Sequence, residues 1–498
     1  MSDHRLKEDG AAPPEPANPL LEPLGPYVST AEWPARLAHD PFASVERALL
    51  TEEQRDALLS NVHDCFEPTS KSIDIAASFQ RMIRSGYARR NPTVPSNRLN
   101  QHQILGMRGE PQSVDSWQSS FADAMMISGC AGTGKSHTIQ RVCSLIPQVH
   151  LHSASTVAGW TRQLQVTYLI IPMPASRGGL LYAILESLGR VVGIEFVTRY
   201  AGARSWTIEK LTIHVGTLLA QYFVGLLIIE ELQPRNFSES PYRDEMLLML
   251  LRLLNFGIPV ILVGNPLGFV GVLEHSQDAR RLTAQEPVEL MPLDADEDDW
   301  TDGLAPALWT QTVLPERATF DSAIARELWE CCAGIPDFAQ KAMVGAQRIA
   351  LRAGAQRLSI EHLRRYRVES RSFEIFKDMI EGFARKDPLR LSKYLDIPWE
   401  IYGQRWGKFH SVAQISSSRS AMGTLTATTM NAEERNAYRA SHQRLQGKDR
   451  ASSFRKRAAK TDDLSRTSAA ATDSRTEPSN VLSDSLVDLQ ARLGKGGS

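Results

Sequence analysis

The clearest chemistry in the chain lies in eight consecutive residues, Gly129, Cys130, Ala131, Gly132, Thr133, Gly134, Lys135 and Ser136, whose spacing satisfies G-x-x-x-x-G-K-[ST]. Glycines let the backbone curl until successive N–H groups face one anion, and the start of the following helix adds its partial positive charge. The pattern predicts a cradle for the phosphates of ATP. Lys135 is expected on the β- and γ-phosphates, and Ser136 is expected to offer its hydroxyl to Mg2+, a hard cation that prefers oxygen ligands.

A second motif, an acidic pair, ends the apolar run LLIIEE, where Glu230 and Glu231 follow four aliphatic residues. In P-loop ATPases such a strand end carries one acid to the Mg2+ shell and a neighbouring glutamate that polarises the attacking water. Glu230 is assigned to the metal and Glu231 to the water. Asn265 closes the next apolar run, PVILVG, at the sheet edge where ligands of such folds lie; it is expected to orient water or the γ-phosphate, although Gly264-Asn265-Pro266 also reads as a turn. Arg280 and Arg281, in DARR, follow this strand and are candidates for a cation projected into a neighbouring subunit's site. Lys341, in GIPDFAQKAM, stands where AAA+ proteins carry a lid cation.

These residues need a scaffold, and the hydrophobic pattern supplies one. AMMIS, TYLIIP, GLLIIE, PVILVG and PVELM read as strands, separated by amphipathic stretches long enough for helices. Alternation of this kind predicts a doubly wound α/β domain with five parallel strands over residues 116–292. Strand signals then cease, and residues 293–398 read as a helical lid with following helices. Upstream, residues 66–115 form a helical extension, with Asn91-Pro92 as a stop.

Residues 1–65 are expected to form a mobile arm, since eight prolines fall in the first 45 positions. Residues 399–498 are expected to be a largely disordered arm, because Ser, Thr, Ala, Arg and Gln replace large apolar side chains. Its first part is basic, with twelve Lys or Arg against three Asp or Glu between Ile401 and Lys460. Leu482, Leu486, Leu489 and Leu493 then recur at helical spacing, suiting a short helix that orders in a partner's groove.

The 498 residues carry a formal charge of −1 with 42% hydrophobic and 23% charged residues. That balance excludes a chain that coats nucleic acid along its whole length. The five cysteines are odd in number and form no C-x-x-C pair, so neither a disulfide framework nor a zinc site is indicated. No signal peptide or apolar run of membrane length is found, and a soluble, cytoplasmic protein without membrane contact is expected.

Between about Ile83 and Pro398 the sequence resembles the TnsC/TniB family of AAA+ transposition regulators. Besides the P-loop, the likeness rests on IRSGYARRNP, GLLIIEELQ, LLNFGIPVILVGNP, the DARR cluster and GIPDFAQKAM. It implies an ATPase that assembles as a ring or helical filament on double-stranded DNA. Its partners would be transposase subunits (TnsA/TnsB-like) and a target selector (TnsD/TniQ-like). DNA contacts are then expected from Arg177, Arg84, Arg89 and Arg90. Two positions depart from the family: Glu230 stands where Asp is usual, which predicts slow turnover, and Asn265 where some relatives have Thr. Two further readings stay open, a non-hydrolysing ATP-bound DNA scaffold and a helicase-loader-type replication ATPase.

Overall fold

The computed structural model describes residues 17–106, 122–153, 157, 163–197, 207–272 and 276–408. Seven strands are described: β1 (Ala124–Gly129), β2 (Val149–His152), β3 (Gln163–Val166), β4 (Tyr168–Pro172), β5 (Leu226–Leu232), β6 (Val260–Gly264) and β7 (Val288–Leu290). Five of them form one parallel sheet in the order β4-β5-β6-β1-β7, and these are the five expected from the apolar runs. The other two, β2 and β3, make an antiparallel hairpin outside the apolar runs, because four single apolar residues there alternate with His and Gln.

Strand periodicity divides the core between the two faces of the sheet. Met125, Ile127, Leu226, Ile228, Ile261 and Val263 pack on one side with α3 (Ser70–Arg89) and α5 (Lys135–Ser144). Ala124, Met126, Leu227, Ile229, Val260 and Leu262 face the other side, covered by α6 (Arg177–Val192), α7 (Ile208–Gln221) and α8 (Arg243–Asn255). Because both faces are covered, the strands read as continuous apolar runs.

In chain order the remaining helices are α1 (Trp33–Leu37), α2 (Glu52–Leu58), α4 (Pro95–Gly106), α9 (Ser276–Leu282), α10 (Ala305–Thr310), α11 (Ser322–Cys332), α12 (Pro336–Arg352), α13 (Ile360–Glu369), α14 (Arg371–Ala384), α15 (Pro388–Leu391) and α16 (Trp399–Arg405). The last seven build the lid around its own core, which includes Trp300, Leu328, Met343 and Tyr402.

The mobile arm expected over residues 1–65 is corrected from residue 17 onward. Leu20, Trp33 and Leu37 bury themselves on the α3 side of the sheet, while Phe42, Leu59 and Val62 join the lid core. Each such side chain contributes about 1.5–3 kcal/mol when taken fully from water. The prolines do not oppose this, because Pro19 and Pro34 stand in the first turn of short helices, where a missing N–H costs nothing. Arg47 and Arg55 are buried too, and donate to the lid carbonyls of Thr312 and Val313. One segment thus holds both the sheet and the lid.

The disordered arm expected from residue 399 is corrected over its first ten residues. The α16 helix buries Tyr402 completely, and its rings pack with Phe383 and Trp406. The basic stretch beyond residue 408 and the leucine-spaced end lie outside the described residues, as does the start of the chain. No described helix is long and apolar enough to cross a membrane.

Candidate nucleotide site

Strand β1 runs straight into the P-loop, and α5 starts at Lys135. Gly132 and Gly134 both adopt left-handed backbone, with φ of +82° and +90°. At Gly132 a Cβ would also stand 3.1 Å from Ile335 and 3.2 Å from Asp337, so the loop curls directly beneath the lid. The Asp337 amide donates to the Gly132 carbonyl at 3.2 Å, which ties the first turn of α12 to the loop. Lys135 bends back over this loop. Its ammonium donates to the carbonyls of Gly129 and Cys130, both at 2.7 Å, and so spends two of its three donors there. Burial lowers the lysine from its ordinary value, with Cys130 and Glu230 opposing.

At the end of β5 the two glutamates divide. Glu230 points into the sheet edge, and among the described residues its Oε1 is buried without a hydrogen-bond partner. Burial raises this carboxyl above the usual range against the pull of Ser136; Glu231 adds to the rise and Lys135 opposes it. Glu231 is exposed and has φ +62°, a left-handed backbone rare for a glutamate. The pairing of β5 with β6 slips there, from Ile229↔Leu262 to Leu232↔Gly264. The bulge turns consecutive acids in different directions. Asn236 holds the turn from outside by donating to the Glu231 and Met173 carbonyls.

A buried, unpartnered carboxylate oxygen beside the Ser136 hydroxyl and the Lys135 ammonium is a donor set that fits Mg2+ with a nucleotide phosphate. The curled glycines fit the phosphates, and an open cleft of about 700 Å³ continues from them. Its walls include Gly134, Lys135, Ser136, His137, Gln140 and Arg141 of the loop and α5, with Pro336, Asp337 and Gln340 of α12. His39, His63 and Asp64 of the N-terminal segment complete it. The last three were missed because their segment reads as a proline-rich arm. The capping box Thr51–Gln54 and the apolar residues between the prolines were the available signals. Gln340 couples the two walls, donating to the Cys65 carbonyl at 3.3 Å and meeting His63 Nδ1 at 3.4 Å. His137 packs edge-on to Phe66, and burial lowers its imidazole.

Other expected site residues lie elsewhere or are already engaged. Lys341 does not line the cleft; it pairs with Asp337 at 2.6 Å and lies over the rings of Phe338 and Phe376, so the lid presents Asp337 and Gln340 instead. Asn265 caps the turn after β6 by accepting from Leu267, and its amide donates to the Asp396 carbonyl at 2.6 Å, strapping the sheet edge to the segment before α16. Arg281 donates to Leu251 and Asn255 of α8, whereas Arg280 on the same short helix is exposed.

Two of the four arginines expected at DNA are engaged with the chain itself. Arg84 donates to the carbonyls of Leu24, Gly25 and Pro26, which closes the first 3-10 turn of the N-terminal segment. Arg90 is drawn inward, donating to Val224 and Gly86 and stacking on Tyr87; burial pushes it down to about 10. Arg89 is exposed beside Asp123, and Arg177 opens α6 in a partly buried position.

The loop is also fastened from below. Cys130, fully buried, meets the Tyr402 hydroxyl at 3.2 Å, and burial pushes its thiol up to about 11. Arg405, on the next turn of α16, pairs with Glu289 of β7 at 2.6 Å.

Residues 120–273 match the AAA domain family. With the strand order and the P-loop, this makes the domain an α/β P-loop ATPase fold of the AAA+ type. No curated protein matches the chain. Among solved structures the chain is similar to the ORC2 protein of Aeropyrum pernix, at 17% identity over 56% of this chain and 69% of that one, TM-score 0.33. It is also similar to Drosophila ORC bound to DNA, at 14% over 78% and 87%, TM-score 0.34. The RuvB Holliday junction branch migration motor of Thermotoga maritima follows at 15% over 64% and 85%, TM-score 0.31.

Proposed function

We propose that this chain is an ATP-hydrolysing AAA+ switch that assembles on duplex DNA and regulates transposition, linking a target selector to transposase subunits. The observation that carries the ATPase half is the division of Glu230 and Glu231 beside the P-loop. Glu230 offers a buried oxygen where a metal beside Ser136 would need one, and the bulge turns Glu231 outward as a base for water. Mg2+, when bound with ATP, would neutralise charge on the β- and γ-phosphates. Lys135 would hold the phosphates, and the cleft between α12 and the N-terminal segment would take the rest of the nucleotide. Arg280 is the arginine available to a neighbouring subunit, since Arg281 is committed to α8.

The transposition half rests on the sequence likeness to the TnsC/TniB family. Support for DNA contact comes from the exposure of Arg89, with Arg177, partly exposed at the start of α6, beside it. Retained binding with weak turnover is favoured by Asn265, whose amide is occupied at both ends and must be released before it can orient water. Phosphate release measured with and without duplex DNA tests the switch: stimulation by DNA supports it, and no release under either condition favours the non-hydrolysing scaffold. Recruitment of transposase subunits to the DNA-bound protein tests the assigned pathway, and a protein that instead loads a replicative helicase would replace it.

A further inference from the structure

We propose that Glu22, His150 and His152 form a divalent-cation site of the zinc class that staples the N-terminal segment to the β2–β3 hairpin. One ligand atom from each of the three residues lies within 4.8 Å of the others. The two histidines are spaced i, i+2 along β2, so they rise from the same face of the strand, with ring centroids 4.6 Å apart. Glu22 reaches them from the 3-10 helix Pro19–Leu24, more than a hundred residues away in sequence.

Beneath the three side chains the structure shows an orienting layer. Gln165 is fully buried; its Nε2 donates to the Leu20 carbonyl at 2.9 Å, and its Oε1 meets His152 Nε2 at 2.6 Å. With the Gln165 amide fixed by Leu20, the oxygen faces the imidazole, so His152 Nε2 carries the proton and Nδ1 the lone pair. This is the arrangement by which a metal-binding histidine has its tautomer and ring orientation set by a neighbour. The same glutamine anchors the helix that carries Glu22, so one residue positions two of the three ligands.

Two imidazoles and a carboxylate match zinc, with water in a fourth position. Ligands of a tetrahedral zinc stand roughly 3.3 Å apart. The half-exposed His150 and exposed Glu22 have the side-chain freedom to close that gap onto the buried His152. The cysteine pattern gives no hint of this site, because it uses none.

The test uses the full chain without an affinity tag, stripped with a chelator and titrated with Zn2+ against a chromophoric competitor, with Co2+ absorption as a geometric readout. One site with tetrahedral Co2+ bands is expected, and Glu22→Gln and His150→Ala should each weaken it at least tenfold. Both positions reach the surface, and unchanged ATP binding in each variant would show that the fold is intact. Zn2+ should also slow proteolysis between residues 17 and 30 in the parent and in neither variant. An affinity unchanged in either variant, or no binding by the parent chain, overturns the proposal.

Discussion

The two ends of strand β5 lie beside two of the motifs that stand out in the sequence, and they use polar side chains differently. At its start, the segment Gly86–Pro92 latches α3 beneath the sheet. A Cβ on Gly86 would approach Pro259 to 2.8 Å, the Tyr87 hydroxyl donates to Phe223 at 3.0 Å, and Arg90 donates to Val224. Most polar groups there are spent on the fold's own carbonyls, although Arg90 Nη2 is buried without a hydrogen-bond partner among the described residues. At the other end Glu230 keeps a buried oxygen unpaired, and Glu231 adopts a backbone that few glutamates tolerate. A buried group denied a partner and a residue held in a costly conformation persist only where the surroundings over-determine them. Unusual residue patterns therefore mark either a latch or a site; here the carbonyl bonds of Tyr87 and Arg90 mark the latch, and the left-handed backbone of Glu231 beside the P-loop marks the site.

The comparison breaks most visibly through Glu231→Gln. Nucleotide binding and assembly should persist while turnover falls about a thousandfold, since general-base contributions run to about 10²–10⁴; undiminished phosphate release would remove Glu231 from its role. Lys135→Ala should weaken ATP binding on the order of a hundredfold by removing a charge-assisted donor, as read by nucleotide titration. At the other end of the strand, Arg90→Ala should lose about 1–3 kcal/mol in chemical denaturation, because the Val224 carbonyl loses its donor. The salt dependence of DNA binding should not change in that variant; a shallower slope would return Arg90 to the DNA contacts.

Arg177→Glu gives the smaller, surface counterpart. DNA affinity should fall and the log–log salt slope should become shallower by about 1, with stability unaltered. The smallest effect concerns Glu230. Its carboxyl is raised in the folded chain, so ionising it costs stability: nucleotide-free stability should fall as pH rises from the unfolded carboxylate range through the raised folded value. Glu230→Gln should then raise Tm by about 1–2 °C at neutral pH, with the gain vanishing in acid, while Mg2+-dependent nucleotide binding weakens. A gain that survives in acid would show that the carboxyl is not the cause.

The parallel sheet was legible because its strands are buried on both faces and leave uninterrupted aliphatic runs, as in Leu226–Ile229. The hairpin β2–β3 was not, since Gln163, Gln165, His150 and His152 resemble loop residues until their partners are known. Proline content misled at the N-terminus: at Pro19 and Pro34 it begins helices, and what decides the outcome is the burial of Leu20, Trp33 and Leu37 by a sheet far along the chain. For Lys341, Arg84 and Arg90, charge was visible but direction was not. A lysine one helical step from Gln340 pairs with Asp337 over two rings, and arginines in a basic run turn inward to carbonyls that no local pattern displays.

The backbone of Glu231 also bears on how this protein would respond to selection for heat resistance. A left-handed residue other than glycine or asparagine costs about 1–3 kcal/mol, so Glu231→Gly, or Glu231→Asn at lesser gain, is among the first substitutions that a screen for folded protein at raised temperature would enrich. Each would discard the carboxylate. Libraries sorted on thermal survival alone should therefore drift toward robust, inactive chains at this position, whereas sorting that alternates heat with a requirement for turnover should hold the glutamate and look elsewhere for its stability.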